Sequence, residues 1–302
     1  MYDIIGDIHG HYNDLVNLLR ALGYNNNCGY FKHKNRKVIF VGDFIDRGIN
    51  QRKLIYEVMK MVNNGSAFAI MGNHEYNAIC FSESNGKGKY LREHSKENIF
   101  QHKAFLDDLT FGSSDYELVI NWFKELPVFL ELNEFRVIHA AWLDRSINFL
   151  KTNLIDAKLN QDFLTKCWDN NSDAFKHIER SLKGLEVILP NGLTWLDKKN
   201  NKVRNTMRVN WFSHVDAKTY KNCAISFPNP EILPDEEIDF NFKMYEDKKP
   251  VFFGHYWLQG EPKIQTEYTA CLDYSVAKNG KLVCYRWNGE SQLKNENFFY
   301  IQ

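Results

Sequence analysis

The sequence has no surplus of charge of either sign. Lys plus Arg equals Asp plus Glu at 38 each, so the formal net charge at pH 7 is zero. Proteins that bind nucleic acid or anionic membranes through phosphate contacts usually carry a basic surplus. We therefore expect neither a nucleic-acid partner nor a membrane partner.

Long apolar runs and closely paired cysteines are also missing. No stretch approaches the roughly 20 apolar residues that a membrane-spanning helix needs. The first residues, Met1 to Gly6, lack the charged and apolar regions of a secretory signal. The six cysteines include no C-x-x-C pair, so we expect buried, reduced thiols and no thiolate metal site. These absences predict a soluble, cytoplasmic protein.

The composition is that of a folded protein with a large core. Of the 302 residues, 44% are hydrophobic and 15% are aromatic. A chain of this length can form one large domain or two small ones. We predict a single domain over residues 1–302, with helical or loop insertions at 82–126 and 144–249. The sequence leaves the oligomeric state open.

The first third of the chain alternates short apolar runs with segments of helical periodicity. The predicted strands are Tyr2–Gly6, Val38–Val41 and Ala67–Met71, and the predicted helices between them are Asn13–Leu22 and Arg52–Val62. Strands that alternate with helices form a parallel sheet with right-handed crossovers. The pattern therefore predicts an α/β fold.

Signals for helices and strands continue at intervals through the rest of the chain. Ser114-x-x-Glu117 forms a capping box, which predicts that a helix begins there. Asn279-Gly280 predicts a hairpin between Ala270–Tyr274 and Leu282–Trp287. Further predicted elements are strands at Val128–Leu132, Phe135–Ile138 and Val251–Phe253, helices at Gln161–Trp168 and Ala174–Leu182, a polar run at Lys198–Arg204 and an acidic loop at Phe227–Asp239.

Each of the three early strands is followed by a cluster of glycine and polar residues. The clusters are Gly6-Asp7-Ile8-His9-Gly10, Gly42-Asp43-Phe44-Ile45-Asp46-Arg47-Gly48 and Gly72-Asn73-His74-Glu75. Ligands of open α/β sheets bind beyond the carboxyl ends of the strands, so we expect the three clusters to meet in space. Their carboxylate, amide and imidazole groups suit Mn, Fe or Zn.

These three clusters resemble the signature motifs of the phosphoprotein phosphatase family, in its bacterial-type branch, which is a subset of the calcineurin-like metallophosphatases. The resemblance is close over residues 1–80. It continues loosely at Gly254-His255 and at His139-Ala140-Ala141, where the family usually has His-Gly-Gly. It implies a fold in which two mixed β-sheets form a sandwich flanked by helices. The two alanines depart from the pattern and leave the subfamily open.

The resemblance also implies a centre of two divalent metal ions. The ions would be Mn, Fe or Zn, and Mn is the expected ion in vitro. The implied ligands are Asp7 and His9 for the first metal, Asp43 as the bridge between the two, and Asn73, His139 and His255 for the second. A hydroxide that bridges the two metals would attack the phosphorus atom in line.

The remaining motif residues have implied roles in catalysis. His74 would be the general acid that protonates the leaving oxygen, and Asp46 would orient it. The implied phosphate-binding residues are Arg47, Asn73 and Arg208, with Arg204 as the alternative to Arg208. An arginine guanidinium offers a planar fork of donors that matches phosphate oxygens.

The residues after His255 bear on the substrate class. Related diesterases and nucleases have a second histidine two residues later, where this chain has Trp257. This difference favours hydrolysis of phosphomonoesters, on a phosphoprotein or a small phosphorylated molecule. The alternative is a dinucleoside polyphosphate hydrolase of the ApaH-like type, whose members often have alanine in place of Asp46. An inactive metal-binding scaffold is a third possibility, which the filled catalytic positions disfavour.

Tryptophan residues are a further feature of the second half of the chain. Trp195, Trp211 and Trp257 could pack in the core or form a platform for a substrate. Tryptophan has a large apolar surface, and it is more often part of a core. We therefore expect all three to lie in the core.

Overall fold

The computed structural model describes residues 1–197, 202–215, 217–238 and 243–302. Within them the strands are β1 (Tyr2–Ile5), β2 (Lys37–Phe40), β3 (Ala67–Ala69), β4 (Phe129–Glu131), β5 (Arg136–Ile138), β6 (Glu186–Ile188), β7 (Trp195–Asp197), β8 (Lys202–Arg204), β9 (Thr206–Arg208), β10 (Val251–Phe253), β11 (Thr269–Cys271), β12 (Asp273–Tyr274), β13 (Lys281–Trp287) and β14 (Phe298–Ile301). The helices are α1 (Tyr12–Ala21), α2 (Gln51–Asn63), α3 (Asn73–Ser82), α4 (Lys96–Gln101), α5 (Lys103–Asp108), α6 (Ser114–Lys124), α7 (Asp144–Asn153), α8 (Gln161–Lys166), α9 (Asp173–Lys183) and α10 (Tyr220–Cys223).

The first sheet brings the three early strands together. Its strand order is β12-β13-β1-β2-β3, and β14 pairs with β13 as well. β1, β2 and β3 are parallel, as the alternation of strands and helices predicts. Ile5 pairs with Phe40, and Phe40 pairs with Ala69. The three strands therefore end side by side, and the three polar clusters leave the sheet at one edge.

The second sheet carries the two later histidines. Its strand order is β11-β10-β5-β4, with β10 parallel to β5 and β11. His139 follows the last residue of β5 directly, and His255 follows β10 after one glycine. Because Phe252 pairs with Val137, the two parallel strands end next to each other. Both histidines therefore leave the same edge of this sheet.

The two sheets face each other across an apolar layer. Alternate residues of both sheets, among them Ile4, Ile39 and Phe252, form one buried cluster between them. Their neighbours along the strands, such as Ile5 and Phe40, belong to a second cluster that packs against the helices. This alternation follows from the period of two in a β-strand. The predicted sandwich of two mixed sheets flanked by helices is confirmed.

Two local predictions differ from the structure. Ser113, and not Ser114, is the N-cap of α6, and its hydroxyl accepts a hydrogen bond from the Tyr116 amide. The predicted strand Ala270–Tyr274 divides between β11 in the second sheet and β12 in the first. β12 does pair antiparallel with β13, but residues 275–280 connect them rather than a two-residue turn. The alternation of side chains does not reveal where the chain changes sheets.

Residues 144–249 contain a small additional unit. β6 pairs with β9 and β7 pairs with β8, and apolar side chains such as Leu185 and Met207 form a separate cluster there. Of the polar run at 198–204, only β8 lies within the described residues, and the acidic loop is described as far as Ile238. The single-domain assignment stays a prediction. None of the helices in the described ranges combines the length and the apolar composition needed to cross a bilayer.

Candidate metal centre

Side chains that could ligate metals converge at the common edge of the two sheets. One group contains His9, Asp43 and His74, and the other contains Asp43, His139 and His255. The ligand atoms within each group lie within 4.8 Å of one another, and all five residues are buried. Asp43 belongs to both groups, as expected of the bridging ligand that the family resemblance implies.

The backbone around these side chains is strained. His9, Asp43, Asp46, Arg47 and His255 have φ angles of 49°, 53°, 68°, 74° and 75°. Such positive φ angles cost non-glycine residues about 1–3 kcal/mol each, and they persist only where the surrounding structure holds them. Strain of this kind concentrates at functional sites, so its location supports a site at the ends of these strands.

Glu75 ties the second polar cluster to the third. Its carboxylate accepts hydrogen bonds from the amides of Asp43 at 2.8 Å, Phe44 at 2.8 Å and Gly72 at 2.9 Å. The contact leaves no room for a side chain, since a Cβ on Gly72 would lie 2.3 Å from the Asp43 amide nitrogen. Asn73 follows Gly72 and is the first residue of helix α3. The start of this helix therefore holds the Asn73 side chain beside Asp43.

Two histidines are fixed so that each presents a lone pair to Asp43. His9 Nδ1 donates to the Ile45 carbonyl at 2.9 Å, and His139 Nδ1 donates to the Val41 carbonyl at 2.8 Å. A carbonyl only accepts, so Nδ1 carries the proton of each neutral ring. The Nε2 atoms of His9 and His139 lie 3.6 and 3.4 Å from the Asp43 carboxylate. Electron-pair donors that face each other in this way are the arrangement that a cation satisfies.

Unsatisfied buried atoms mark the same place. Six buried side-chain atoms of the described residues have no hydrogen-bond partner, and three of the six belong to implied metal ligands: Asp7 Oδ1, His9 Nε2 and His255 Nε2. Asn73 Oδ1 lies 3.0 Å from His139 Nε2 and 2.7 Å from His255 Nδ1. Buried polar atoms without partners are rare in folded proteins and need a physical reason. A bound metal ion would be the missing partner of these atoms, so the residues fit the implied metal centre.

Asp7 lies beside the two ligand groups but belongs to neither. Its Oδ2 accepts a hydrogen bond from the His255 amide at 3.0 Å. Burial, followed by the charges of Asp273 and Asp43, raises the pKa of Asp7 well above its usual range. A nearby cation would offset this repulsion.

The pKa values of two histidines favour the neutral form that ligates metals. Burial lowers the pKa of His9 to about 4, despite the opposing charge of Asp43. Burial, followed by the charge of Arg208, holds the pKa of His255 well below its usual range. A neutral imidazole can donate its lone pair to a metal without first losing a proton.

The proposed acid His74 forms part of a hydrogen-bonded row. Its Nδ1 lies 2.5 Å from Asp46 Oδ2, and its Nε2 lies 3.9 Å from Asp43 Oδ2. The other oxygen of Asp46 lies 2.9 Å from Nδ1 of His102. Burial lowers the pKa of His74, but the charge of Asp43 and the bond to Asp46 outweigh it and raise the pKa. His102 follows helix α4, and no motif in the sequence pointed to it.

The arginines predicted to bind phosphate occupy different positions. Arg47 is exposed, and its charge is among the causes that lower the pKa of His9 and His74, so it lies at the rim of the centre. Arg208 is the last residue of β9, and its charge is among the causes that lower the pKa of His255. Arg204 instead donates from Nε to Asp197 at 2.8 Å, on the small β7–β8 sheet. Arg208 is therefore the better candidate of the two.

The two alanines after His139 contact the segment at 144–249. The amides of Ala140 and Ala141 both donate to the Ser181 carbonyl of α9, at 3.1 and 3.2 Å. The indole of Trp211 donates to the Ala140 carbonyl at 3.1 Å. The position where the resembled family has two glycines is thus packed against α9 and a buried tryptophan.

Only one of the three tryptophans that we expected in the core lies there. Trp211 is fully buried, whereas Trp195 and Trp257 are partly exposed and line a cavity. The expectation for Trp195 and Trp257 was wrong, because their exposure depends on how the small sheets pack beside the metal centre.

Residues 2–256 match the calcineurin-like phosphoesterase family. The match covers most of the chain, and the protein belongs to this family. The finding agrees with the resemblance of the three polar clusters.

Parts of the chain are also similar in sequence to curated proteins. The chain is 33% identical over 139 residues to the asymmetrical bis(5'-nucleosyl)-tetraphosphatase PrpE of Oceanobacillus iheyensis, which is 46% of this chain and 54% of that protein. It is 44% identical over 73 residues to the corresponding protein of a Geobacillus species, 24% of this chain and 30% of the relative. The chain thus spans about half of the relatives' length or less.

Among solved structures, a protein serine/threonine phosphatase from Saccharomyces cerevisiae is similar at a TM-score of 0.48 and 14% identity. That similarity covers 99% of this chain and 78% of the yeast protein.

Proposed function

We propose that this phosphoesterase hydrolyses dinucleoside polyphosphates and cleaves a tetraphosphate bridge into unequal parts. The observation that carries the proposal is a cavity of about 400 Å³ whose lining includes Trp257, two residues after the candidate ligand His255. Arg208 and Lys278 also line it. A phosphomonoester needs one phosphate position, whereas these cations offer contacts for a longer polyphosphate chain.

The similarity to tetraphosphatases supports the same substrate class. From the sequence, the intact Asp46 favoured the phosphomonoester interpretation over the dinucleoside polyphosphate alternative. The curated relatives favour the opposite order, because the relatives described above are named as bis(5'-nucleosyl)-tetraphosphatases. We therefore take the former alternative as the main proposal.

In the proposed reaction, the residues of the site divide into three roles. The metal-holding side chains would be Asp7, His9, Asp43, Asn73, His139 and His255. When bound, two divalent ions would activate water and neutralise phosphate charge. His74 would give the proton on its Nε2 to the leaving oxygen, and Asp46 would keep the ring oriented. Arg47 would contact phosphate oxygens from the rim.

Product analysis tests the proposal directly. Diadenosine tetraphosphate would be incubated with the Mn-loaded protein, and the nucleotides would be separated and quantified. We expect ATP and AMP in equal amounts, and a kcat/KM at least about tenfold above that for a phosphoserine peptide or for AMP. Two ADP molecules per substrate would contradict the unequal cleavage. A phosphopeptide preference of the same size would contradict the substrate class.

Phosphomonoester hydrolysis is the second candidate. It is favoured by one observation, the presence of Trp257 where diesterases have a second histidine. The ring of Trp257 stacks on the ring of His9, with centroids 5.5 Å apart, and fills space beside the centre. The same substrate panel decides between the two candidates.

A further inference from the structure

The cavity beside the metal centre has a composition that differs from the rest of the site. Its lining includes four aromatic side chains (Trp195, Phe227, Tyr256 and Trp257) and three cations (Arg204, Arg208 and Lys278). Its volume of about 400 Å³ lies within the range of ligand pockets, about 300–1,000 Å³. We call this cavity the side groove. It is contiguous with the metal centre, because Trp257 lines the groove and stacks on His9.

Trp195 and Phe227 form a fixed aromatic corner in the side groove. The indole nitrogen of Trp195 donates to the Thr206 carbonyl at 2.7 Å, which sets the orientation of the ring. The Phe227 ring meets it edge to face, with centroids 5.5 Å apart and planes 62° apart. Both rings are partly exposed. A rigid, partly exposed aromatic surface is what proteins use to stack nucleic-acid bases.

Charged groups continue from the aromatic corner to the metal centre. Lys278 Nζ lies 4.5 Å from the centre of the Trp257 ring, and Arg208 lines the groove beside Trp257, whose ring stacks on His9 of the metal centre. Arg208 lies 3.9 Å from Glu186, which also lines the groove. The cations suit phosphate oxygens, and the carboxylate can accept hydrogen bonds from ribose hydroxyls.

We propose that the side groove binds one nucleoside of the substrate. Its base would stack on Trp195 and Phe227, and its phosphate chain would pass Arg208 and Lys278 to reach the metal centre. This inference rests on the proposed function and adds the site that distinguishes a nucleotide from a plain polyphosphate. Stacking tolerates any base, so the groove would accept purine and pyrimidine nucleosides.

The test compares a nucleotide with a chain of phosphates that lacks a base. Trp195→Ala should weaken AMP binding and lower kcat/KM for diadenosine tetraphosphate, each by about tenfold or more, the usual effect of losing one stacked base. Hydrolysis of tripolyphosphate should stay unchanged. Trp195→Phe keeps an aromatic face, so it should retain affinity within about threefold of the wild type. Trp168→Ala, an exposed tryptophan outside the groove lining, is the matched control.

A second variant covers the case in which Trp195→Ala does not fold. Phe227→Leu keeps most of the side-chain volume and removes the aromatic face, so it should give the same selective loss. Unchanged AMP binding in both variants, or equal losses on tripolyphosphate, would overturn the inference. A wild type that binds AMP through Trp195 but leaves diadenosine tetraphosphate intact would contradict the proposed function alone.

Discussion

His74 and Asp46 are joined by a hydrogen bond of 2.5 Å between Nδ1 and Oδ2. Asp46 lies in the loop after β2, and His74 lies in the first turn of α3, 28 positions later in the sequence. The bond directs the other ring nitrogen of His74 toward Asp43 and the candidate metal centre. In the proposed reaction this geometry makes His74 the proton donor and Asp46 the group that orients it.

Replacing His74 should separate acid catalysis from metal binding. His74→Asn should keep both metals and lower kcat on an alkyl phosphate by roughly 10²–10⁴-fold, the usual range for a positioned acid. The loss on p-nitrophenyl phosphate should be smaller, because that leaving group needs little protonation. Steady-state kinetics on both substrates, with metal analysis of the same samples, measures this.

Two outcomes would count against the acid role. Equal losses on both substrates would show that His74 does not protonate the leaving group. Loss of a metal would make His74 a ligand, which the first ligand group allows on distance alone.

Asp46 should also set the pH dependence of the reaction. A general acid works only when protonated, so kcat falls as the pH rises through its pKa. Burial lowers the pKa of His74, whereas the charge of Asp43 and the bond to Asp46 raise it. Asp46→Asn removes one of the raising contributions, so the alkaline limb of the kcat profile should move to lower pH. An unmoved limb would contradict this assignment, and Asp107→Asn, on the exposed face of α5, is the control.

His102 should act on the reaction through Asp46. His102→Ala removes a bond to a charged carboxylate and should lower kcat by about tenfold with little change in KM. His102→Gln can donate to Asp46 again, and we expect it to restore most of the activity. His94→Ala is the control, because His94 stacks between Phe81 and Tyr90 in the same segment. A purely structural role would lower stability in both His102 variants without the rescue.

The parts of the site that the sequence predicts are those with local signals. Asp7, Asp43 and Asn73 follow apolar strands within compact motifs, so their position at one sheet edge could be predicted. The contact between His102 and Asp46 spans 56 positions and has no periodic or motif signal. The exposure of Trp195 likewise has no local signal in the sequence, because it depends on how the small sheets β6–β9 and β7–β8 pack.

Glu75 should stabilise the fold as well as the site. Glu75→Ala leaves the buried amides of Asp43, Phe44 and Gly72 without their acceptor. Each unsatisfied donor costs about 1–3 kcal/mol, so the free energy of unfolding should fall by roughly 3 kcal/mol or more. Urea denaturation measures it, with the exposed Glu117→Ala as the control. A loss below about 1 kcal/mol would show that water replaces the carboxylate.

The central claim is that Asp43 joins two metal sites in one centre. Elemental analysis of the purified protein after loading with Mn tests it most directly. We predict two metal ions per chain in the wild type and close to none in Asp43→Ala, because both ligand groups lose their shared carboxylate. Asp169→Ala, an exposed aspartate, should keep both ions. Undiminished metal in Asp43→Ala would contradict the account.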